Sequence, residues 1–189
     1  MAALKTNPAL GPVRPGDPVL SDVSSYILAS NAKCREAATK TLATIVPAMT
    51  KVDVPDLSGE AQQMAEQLVS RICDYRVNRN NKSATSKIFG FVTGGETVVT
   101  LNSANTGLGG RSQELALAFA SQMRCAGNAA PTNWAILAGG TDGRDGPTDA
   151  AGALLTSQHV FDYENAVGAL QNHDSYQFLD AHNGLVKTG

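Results

Sequence analysis

The chain has 189 residues, enough for one good core or for one domain plus part of another. Hydrophobic residues make up 42% of it and charged residues 17%, too apolar a balance for a disordered chain, and its net charge of −2 with no long basic run lacks the electrostatic footprint of a nucleic-acid binder. It has no run of about 18 apolar residues to span a membrane, no apolar leader segment, and three scattered cysteines, Cys34, Cys73 and Cys125, that suit a reducing compartment rather than a disulfide framework or a zinc site. The cytoplasm is the expected location, with the mitochondrion as the alternative.

In chain order, Pro8, Pro12, Pro15 and Pro18 make residues 1–20 an extended arm. Tyr26-Ile27-Leu28 is a short strand candidate. Ser30 or Asn31 can cap a helix whose weak apolar face is Ala32, Ala37, Ala38, Thr41, Leu42 and Ile45, ended by Pro47. Val52 and Val54 suggest a short strand stopped by Pro55. Ser58 is the expected N-cap of the best helix, with Glu60 in its first turn. In that helix Ala61, Met64, Ala65, Leu68, Val69 and Ile72 keep the i, i+3, i+4, i+7 spacing of a buried face. Arg76 to Ser86 is polar and reads as a loop, with a domain boundary at its end.

Ile88 to Thr93, the Gly94-Gly95 turn and Thr97 to Leu101 predict a β-hairpin. A polar loop from Asn102 to Gly110 leads into an Ala- and Leu-rich helix from about Ser112 to Met123. Trp134 to Ala138 is a continuous apolar run, as in a buried strand. A Gly/Asp loop runs to Asp149, then an apolar segment covers Ala150 to Leu155, and residues 158–171 are weakly helical. Asp174 with Gln177 predicts a capping box for a last helix, and Gly184 suits the position just past its end. Leu185-Val186-Lys187 starts one more strand. The fold class is α/β, a mixed sheet with flanking helices.

Three glycine-marked turns carry the candidate chemistry, because glycines let a backbone approach a ligand closely. Gly107 to Glu114 places glycine amides before a helix N-terminus, a natural anion pocket, with Arg111 at its mouth to grip a phosphate or carboxylate. The plainer reading is a loop arginine paired with some carboxylate. In the loop Thr141 to Asp149, Asp142, Asp145 and Asp149 offer oxygens that could hold Mg²⁺ directly or through water, Asp142 and Asp145 foremost. The alternative is that these aspartates bond their own backbone in Asx turns. Glu96, after the Gly94-Gly95 turn, either orients a substrate or Arg111, or is an exposed turn carboxylate. The three histidines have no metal-ligand spacing, and neither a nucleophile elbow nor a dinucleotide fingerprint occurs.

Taken together, Gly94-Gly95-Glu96-Thr97, Gly109-Gly110-Arg111-Ser112-Gln113-Glu114-Leu115-Ala116, Gly140-Thr141-Asp142-Gly143 with Asp145-Gly146-Pro147-Thr148-Asp149-Ala150-Ala151-Gly152-Ala153, and Asp174-Ser175-Tyr176 resemble the C-terminal region of the type-2 glycerate kinases, the MOFRL domain. The likeness is close over residues 88–189 and looser over Tyr26 to Ile72. It implies an ATP-dependent kinase that phosphorylates D-glycerate with Mg²⁺, the 2-position favoured, built from two α/β domains with the site in the cleft between them. By the same resemblance Arg111 is the catalytic residue, stabilising the transferring phosphoryl group or the glycerate carboxylate. Gly109, Gly110, Glu96, Thr141 and Asp142 would bind substrate or phosphate in that cleft. It divides the chain into an arm (1–20), a remnant of a Rossmann-like first domain (21–86) and a MOFRL-type domain (87–189). The family's catalytic lysine and glycine-rich nucleotide loop have no counterpart here, and Ser112 and His173 stand where the family usually has Asn. The chain is therefore expected to be a fragment, isoform or incomplete gene model that needs the missing N-terminal half for turnover. The alternative is a non-catalytic anion-binding or regulatory module; the older family label, hydroxypyruvate reductase, is disfavoured by the missing nicotinamide fingerprint.

Overall fold

The computed structural model describes residues 30–52, 54–80, 88–101 and 107–189. The proline-rich arm, the Tyr26–Leu28 strand and the polar stretches 81–86 and 102–106 lie outside the described residues. Asn31–Gly189 forms one compact unit.

That unit begins with helix α1, Asn31–Ile45, which ends just before Pro47, as that residue's missing amide hydrogen dictates. Its expected apolar face is not buried: none of its residues is, and Ile45 is 72% exposed. Four of the six residues of that face, three alanines and a threonine, carry little apolar area, so little is gained by burying it.

Two short parallel pairs follow. Strand β1 (Thr50–Lys51) runs beside β3 (Phe89–Gly90), and β2 (Leu57–Glu60) beside β4 (Gly95–Val98). Leu57 donates its amide hydrogen to Gly94 O at 2.7 Å and Val52 to Gly90 O at 2.9 Å, so the two pairs are pieces of one interrupted ladder. Five residues separate Lys51 from Leu57 but four separate Gly90 from Gly95. The extra residue shifts the register, and Pro55, which has no hydrogen to give, lies in the gap. The hairpin expected around Gly94-Gly95 is therefore absent. Both segments run in the same direction, each paired with the earlier strand rather than with each other. Gly94-Gly95 marks the break in a strand, and composition alone does not separate a break from a reversal. Likewise Ser58 is a strand residue, not a helix cap.

Helix α2, Ala61–Asn80, leaves β2 without a loop and crosses over to β4, the connection parallel strands require. All six side chains predicted for its inner face are buried: Ala61, Met64, Ala65, Leu68, Val69 and Ile72. It runs on past Arg76, where a loop is expected from the polar sequence. Arg76 explains part of this, its Nη1 donating to Asn128 O at 2.6 Å and Ala130 O at 2.9 Å.

Helix α3, Arg111–Cys125, is the centre of the fold, with ten buried residues. Leu117 and Phe119 are almost wholly buried, each side chain contributing about 1.5–3 kcal/mol. On one side α3 packs on α2; on another it lies on a three-stranded antiparallel sheet in the order β5-β6-β7. Strand β5 is Ala135–Gly139, β6 Gly152–Thr156 and β7 Leu185–Val186. Trp134 to Ala138 does enter a strand, but not one buried on both faces: Ile136 and Ala138 pack against the core while Leu137 on the other face is 68% exposed. Helices α4 (Tyr163–Gln171) and α5 (Ser175–Ala181) close the other side of α3. Asp162 caps α4, its side chain accepting from Asn165 N. The capping box predicted at Asp174 does not form, because that carboxylate accepts the Leu108 amide at 2.9 Å instead. After α5 the left-handed position is taken by Asn183 (φ 54), one residue before Gly184. The architecture is the mixed α/β fold with flanking helices that the sequence predicts, and no helix among the described residues is long and apolar enough to cross a membrane.

Candidate functional site

The first turn of a helix has amide hydrogens with no partner inside the helix. At α3 the N-cap is Gly110, extended at φ −146 and with no side chain to offer. The partner comes from the second glycine loop. Asp145 Oδ1 accepts from Ser112 N at 3.0 Å and Oδ2 from Gln113 N at 2.8 Å. Asp145 is 3% exposed. Its own carbonyl accepts from Thr148 Oγ1 at 2.8 Å and Gln113 Nε2 at 3.3 Å, and Gln113 Nε2 also reaches Thr148 Oγ1 at 2.9 Å. Two of the glycines follow from this seam. A Cβ on Gly110 would lie 2.4 Å from Asp145 Cγ. Gly146 has φ +62, and a Cβ there would lie 2.4 Å from Gly109 O. The loops 107–110 and 140–149 are thus packed backbone to backbone.

At the outer end of this seam, Arg111 opens α3 with its side chain about half exposed. Its Nη1 is 2.6 Å from Glu96 Oε1, on β4. Two residues singled out from separate motifs therefore meet, as an exposed ion pair that suits both the reading in which Glu96 orients Arg111 and the plainer one of a loop arginine paired with a turn carboxylate. Among the described residues, no hydrogen bond or ion pair joins Thr141 or Asp142 to this couple. Both are exposed in the turn closed by Gly143 N to Gly140 O at 3.1 Å, and Asp142 Oδ1 accepts the Arg144 amide in an Asx turn.

These contacts decide how well the aspartates fit a divalent cation. Asp145 does not fit: it is buried and both its oxygens are committed to amide hydrogens. The first-turn amides that looked like an anion pocket are, for the same reason, already occupied by that carboxylate. Asp142 fits better, being exposed with one oxygen in its turn. Among the described residues no group of three or more His, Cys, Asp or Glu is placed to hold a metal ion. An Mg²⁺ here would depend on phosphate oxygens and water for most of its ligands, which is its usual habit.

Two clusters escape the sequence reading. Glu114, 4% exposed, accepts from Gln62 Nε2 of α2 at 2.8 Å and lies 3.0 Å from His173 Nδ1. His173 sits at the corner between α4 and α5 with φ 51. The available signal is the Gln113-Glu114 pair itself, polar residues set directly before the apolar run Leu115 to Ala120. The second cluster lies beside the loops. Tyr176 OH donates to Asp149 Oδ1 at 2.7 Å, and Lys187 Nζ reaches Tyr176 OH at 2.9 Å and Asp149 Oδ2 at 3.1 Å. The Tyr176 hydroxyl, then Lys187, hold the Asp149 carboxyl below its ordinary range. The same partners push the Lys187 ammonium above its own. Tyr176 N donates to Leu108 O at 2.9 Å, which ties this cluster to the first glycine loop.

The D-glycerate 2-kinase of Thermotoga maritima is 32% identical over 176 residues, covering 90% of this chain and 39% of the relative. The glycerate 2-kinase of Picrophilus torridus is 37% identical over 115 residues, covering 61% of this chain and 26% of the relative. A crystal structure of glycerate kinase from Thermotoga maritima superposes with a TM-score of 0.68 at 28% identity, over 89% of this chain and 39% of that one. The chain thus spans well under half the length of the relatives it matches. The model of the MOFRL family matches residues 89–189, the segment that holds both glycine loops, the capped helix α3 and Arg111, and the chain belongs to the MOFRL family.

Proposed function

We propose that the chain supplies one wall of the active site of an ATP-dependent glycerate kinase, with D-glycerate as the acceptor and phosphorylation at its 2-hydroxyl. The observation that carries this reading is the placement of Arg111. It is a half-exposed guanidinium on the first residue of a rigid, capped helix, at the seam of two glycine loops, held by one exposed carboxylate that a ligand anion can replace. The relatives named glycerate 2-kinase supply the substrate class.

In that reaction the glycerate hydroxyl oxygen attacks the γ-phosphorus of ATP. The bond from that phosphorus to the β–γ bridging oxygen breaks, ADP leaves, and the hydroxyl proton passes to a base or to water. Charge spreads over the equatorial oxygens of the transferring group, so catalysis is positioning and charge neutralisation. Arg111 suits this, since its planar fork can grip the phosphoryl oxygens or the glycerate carboxylate. Glu96 holds the fork in place before the ligand arrives. The backbone of Gly109 and Gly110 and the turn at Thr141 line the approach. Mg²⁺ would neutralise phosphate charge, with Asp142 the aspartate of this chain that offers it an oxygen. The lysine and nucleotide loop of the site belong to a further half outside these 189 residues. In this reading residues 21–86 are the end of a first domain and 87–189 the second, and the enzyme works in the cytoplasm.

The test is a coupled assay with ATP, Mg²⁺ and D-glycerate. The folded 189-residue chain should form no phosphoglycerate alone, and should form it when joined to the N-terminal half of a relative. In that joined protein Arg111→Ala should lower kcat/KM by about a hundredfold, as for removal of transition-state charge stabilisation. Normal kinetics in the variant would remove Arg111 from the site. Turnover by the chain alone would show that its 189 residues hold a complete site, and 3-phosphoglycerate as product would overturn the choice of hydroxyl.

A further inference from the structure

We infer that Asp145 is a positioning residue for Arg111, an internal anion that fixes where the ligand's anion can bind. The inference rests on the reading that Arg111 takes an anionic ligand. The two amides that follow Arg111, those of Ser112 and Gln113, each donate to one oxygen of this buried carboxylate. The residue before Arg111, Gly110, lies against the same carboxyl carbon so closely that no side chain fits between them. The backbone of Arg111 is therefore held on both sides by one carboxylate. The backbone of Asp145 is in turn held at its carbonyl oxygen by Thr148 Oγ1 and Gln113 Nε2, which donate to it.

The charge has a second effect. A helix N-terminus carries partial positive charge that attracts anions. Here that charge is answered from inside, so an incoming phosphate or carboxylate is left with the guanidinium. A ligand at the amides would also meet the negative charge of Asp145. The result is one defined anion position, at the tip of the Arg111 side chain, rather than two overlapping ones. Fixing a charged side chain in this way matters because a displacement of about 1 Å in a reacting site can cost as much as a hundredfold in rate.

The experiment compares D-glycerate binding by calorimetry in the 189-residue chain, Asp145→Ala, Asp145→Asn and Arg111→Ala. Arg111→Ala should lose binding. Asp145→Ala should bind about tenfold more weakly or worse. Added formate, a carboxylate small enough for the vacated space, should strengthen binding by Asp145→Ala, whereas in the unmodified chain formate can only compete and weaken it. Affinity equal to that of the unmodified chain, or weakened affinity that formate fails to restore in a sample with unchanged circular dichroism, would overturn the inference. Should Asp145→Ala not fold, Asp145→Asn decides by the same comparison: about tenfold weaker binding supports the inference and unchanged affinity overturns it. A ligand-independent readout runs beside these, the Nε–H resonance of Arg111, which should move in Asp145→Asn. If it stays in place the inference fails. If the unmodified chain binds neither D-glycerate nor inorganic phosphate, the ligand reading of Arg111 fails by itself, and that resonance still decides the role of Asp145.

Discussion

Glu114→Ala is the substitution whose cost the structure fixes best. The carboxylate is 4% exposed and joins three elements: its own helix α3, α2 through Gln62, and the α4–α5 corner through His173. Hydrogen bonds to a charged group contribute about 1.5–3 kcal/mol each. The Gln62 bond belongs at the middle of that range, since Gln62 keeps a second acceptor, Leu170 O at 3.2 Å, when Glu114 is lost. The His173 bond belongs at the lower end, because that side chain is 18% exposed and water can replace part of it. The loss should be about 4 kcal/mol, read by urea unfolding of the 189-residue chain with an unchanged slope. A double-mutant cycle with His173→Ala should show a coupling of about 1 kcal/mol between the two side chains. A cost below about 0.5 kcal/mol, as for an ordinary surface change, would refute the claim that this buried cluster ties the three elements together.

Alanine at two glycines should act in opposite directions in the same unfolding assay. Gly110→Ala puts a Cβ into the Asp145 carboxyl and should cost about 1–3 kcal/mol, whereas Gly168, inside α4 with open space around it, should gain about 0.5–1 kcal/mol. Leu137→Ser should change stability by no more than about 0.5 kcal/mol, because that edge-strand side chain is already largely in water. Tyr176→Phe tests the Asp149 cluster through pH. The Asp149 carboxyl is held low in the folded chain, so its contribution is present above its unfolded value of about 3.9 and is lost as pH falls through the lower folded value. Lys187 is held high, so its contribution is full below about 10.4 and is lost as pH rises through the higher folded value. The melting-temperature gap between the two proteins should therefore be constant near neutrality and shrink below about pH 4 and again above about pH 10.4; a gap flat at both ends would exclude the cluster.

What the sequence makes legible here is what depends on one segment at a time. The inner face of α2 is such a case, since six apolar side chains at helical spacing have one face to bury wherever the helix packs. Arg111 and Glu96 were each visible beside a glycine turn. Their union was only one of the options the turn left open for Glu96, because it depends on β4 running parallel to β2 and not folding back on itself, and alternating β-branched residues serve either topology. The same limit explains Asp145. Within its own loop it looks like any aspartate among glycines, where an Asx turn or a metal are the local options. Its partner amides lie 33 and 32 residues away, at the start of another helix. Gly110 held the missing clue. A helix that begins on a glycine, with no side chain to cap it, must find its acceptor elsewhere, and by Gln113, wholly buried in the first turn of α3, there is no water to serve. An Asp in a second glycine loop is then the natural supplier. The two loops are one device, each with glycines where the other needs room, and at its outer end Arg111 and Glu96 pair in the open while Asp142 and Arg144 stand exposed in the turn.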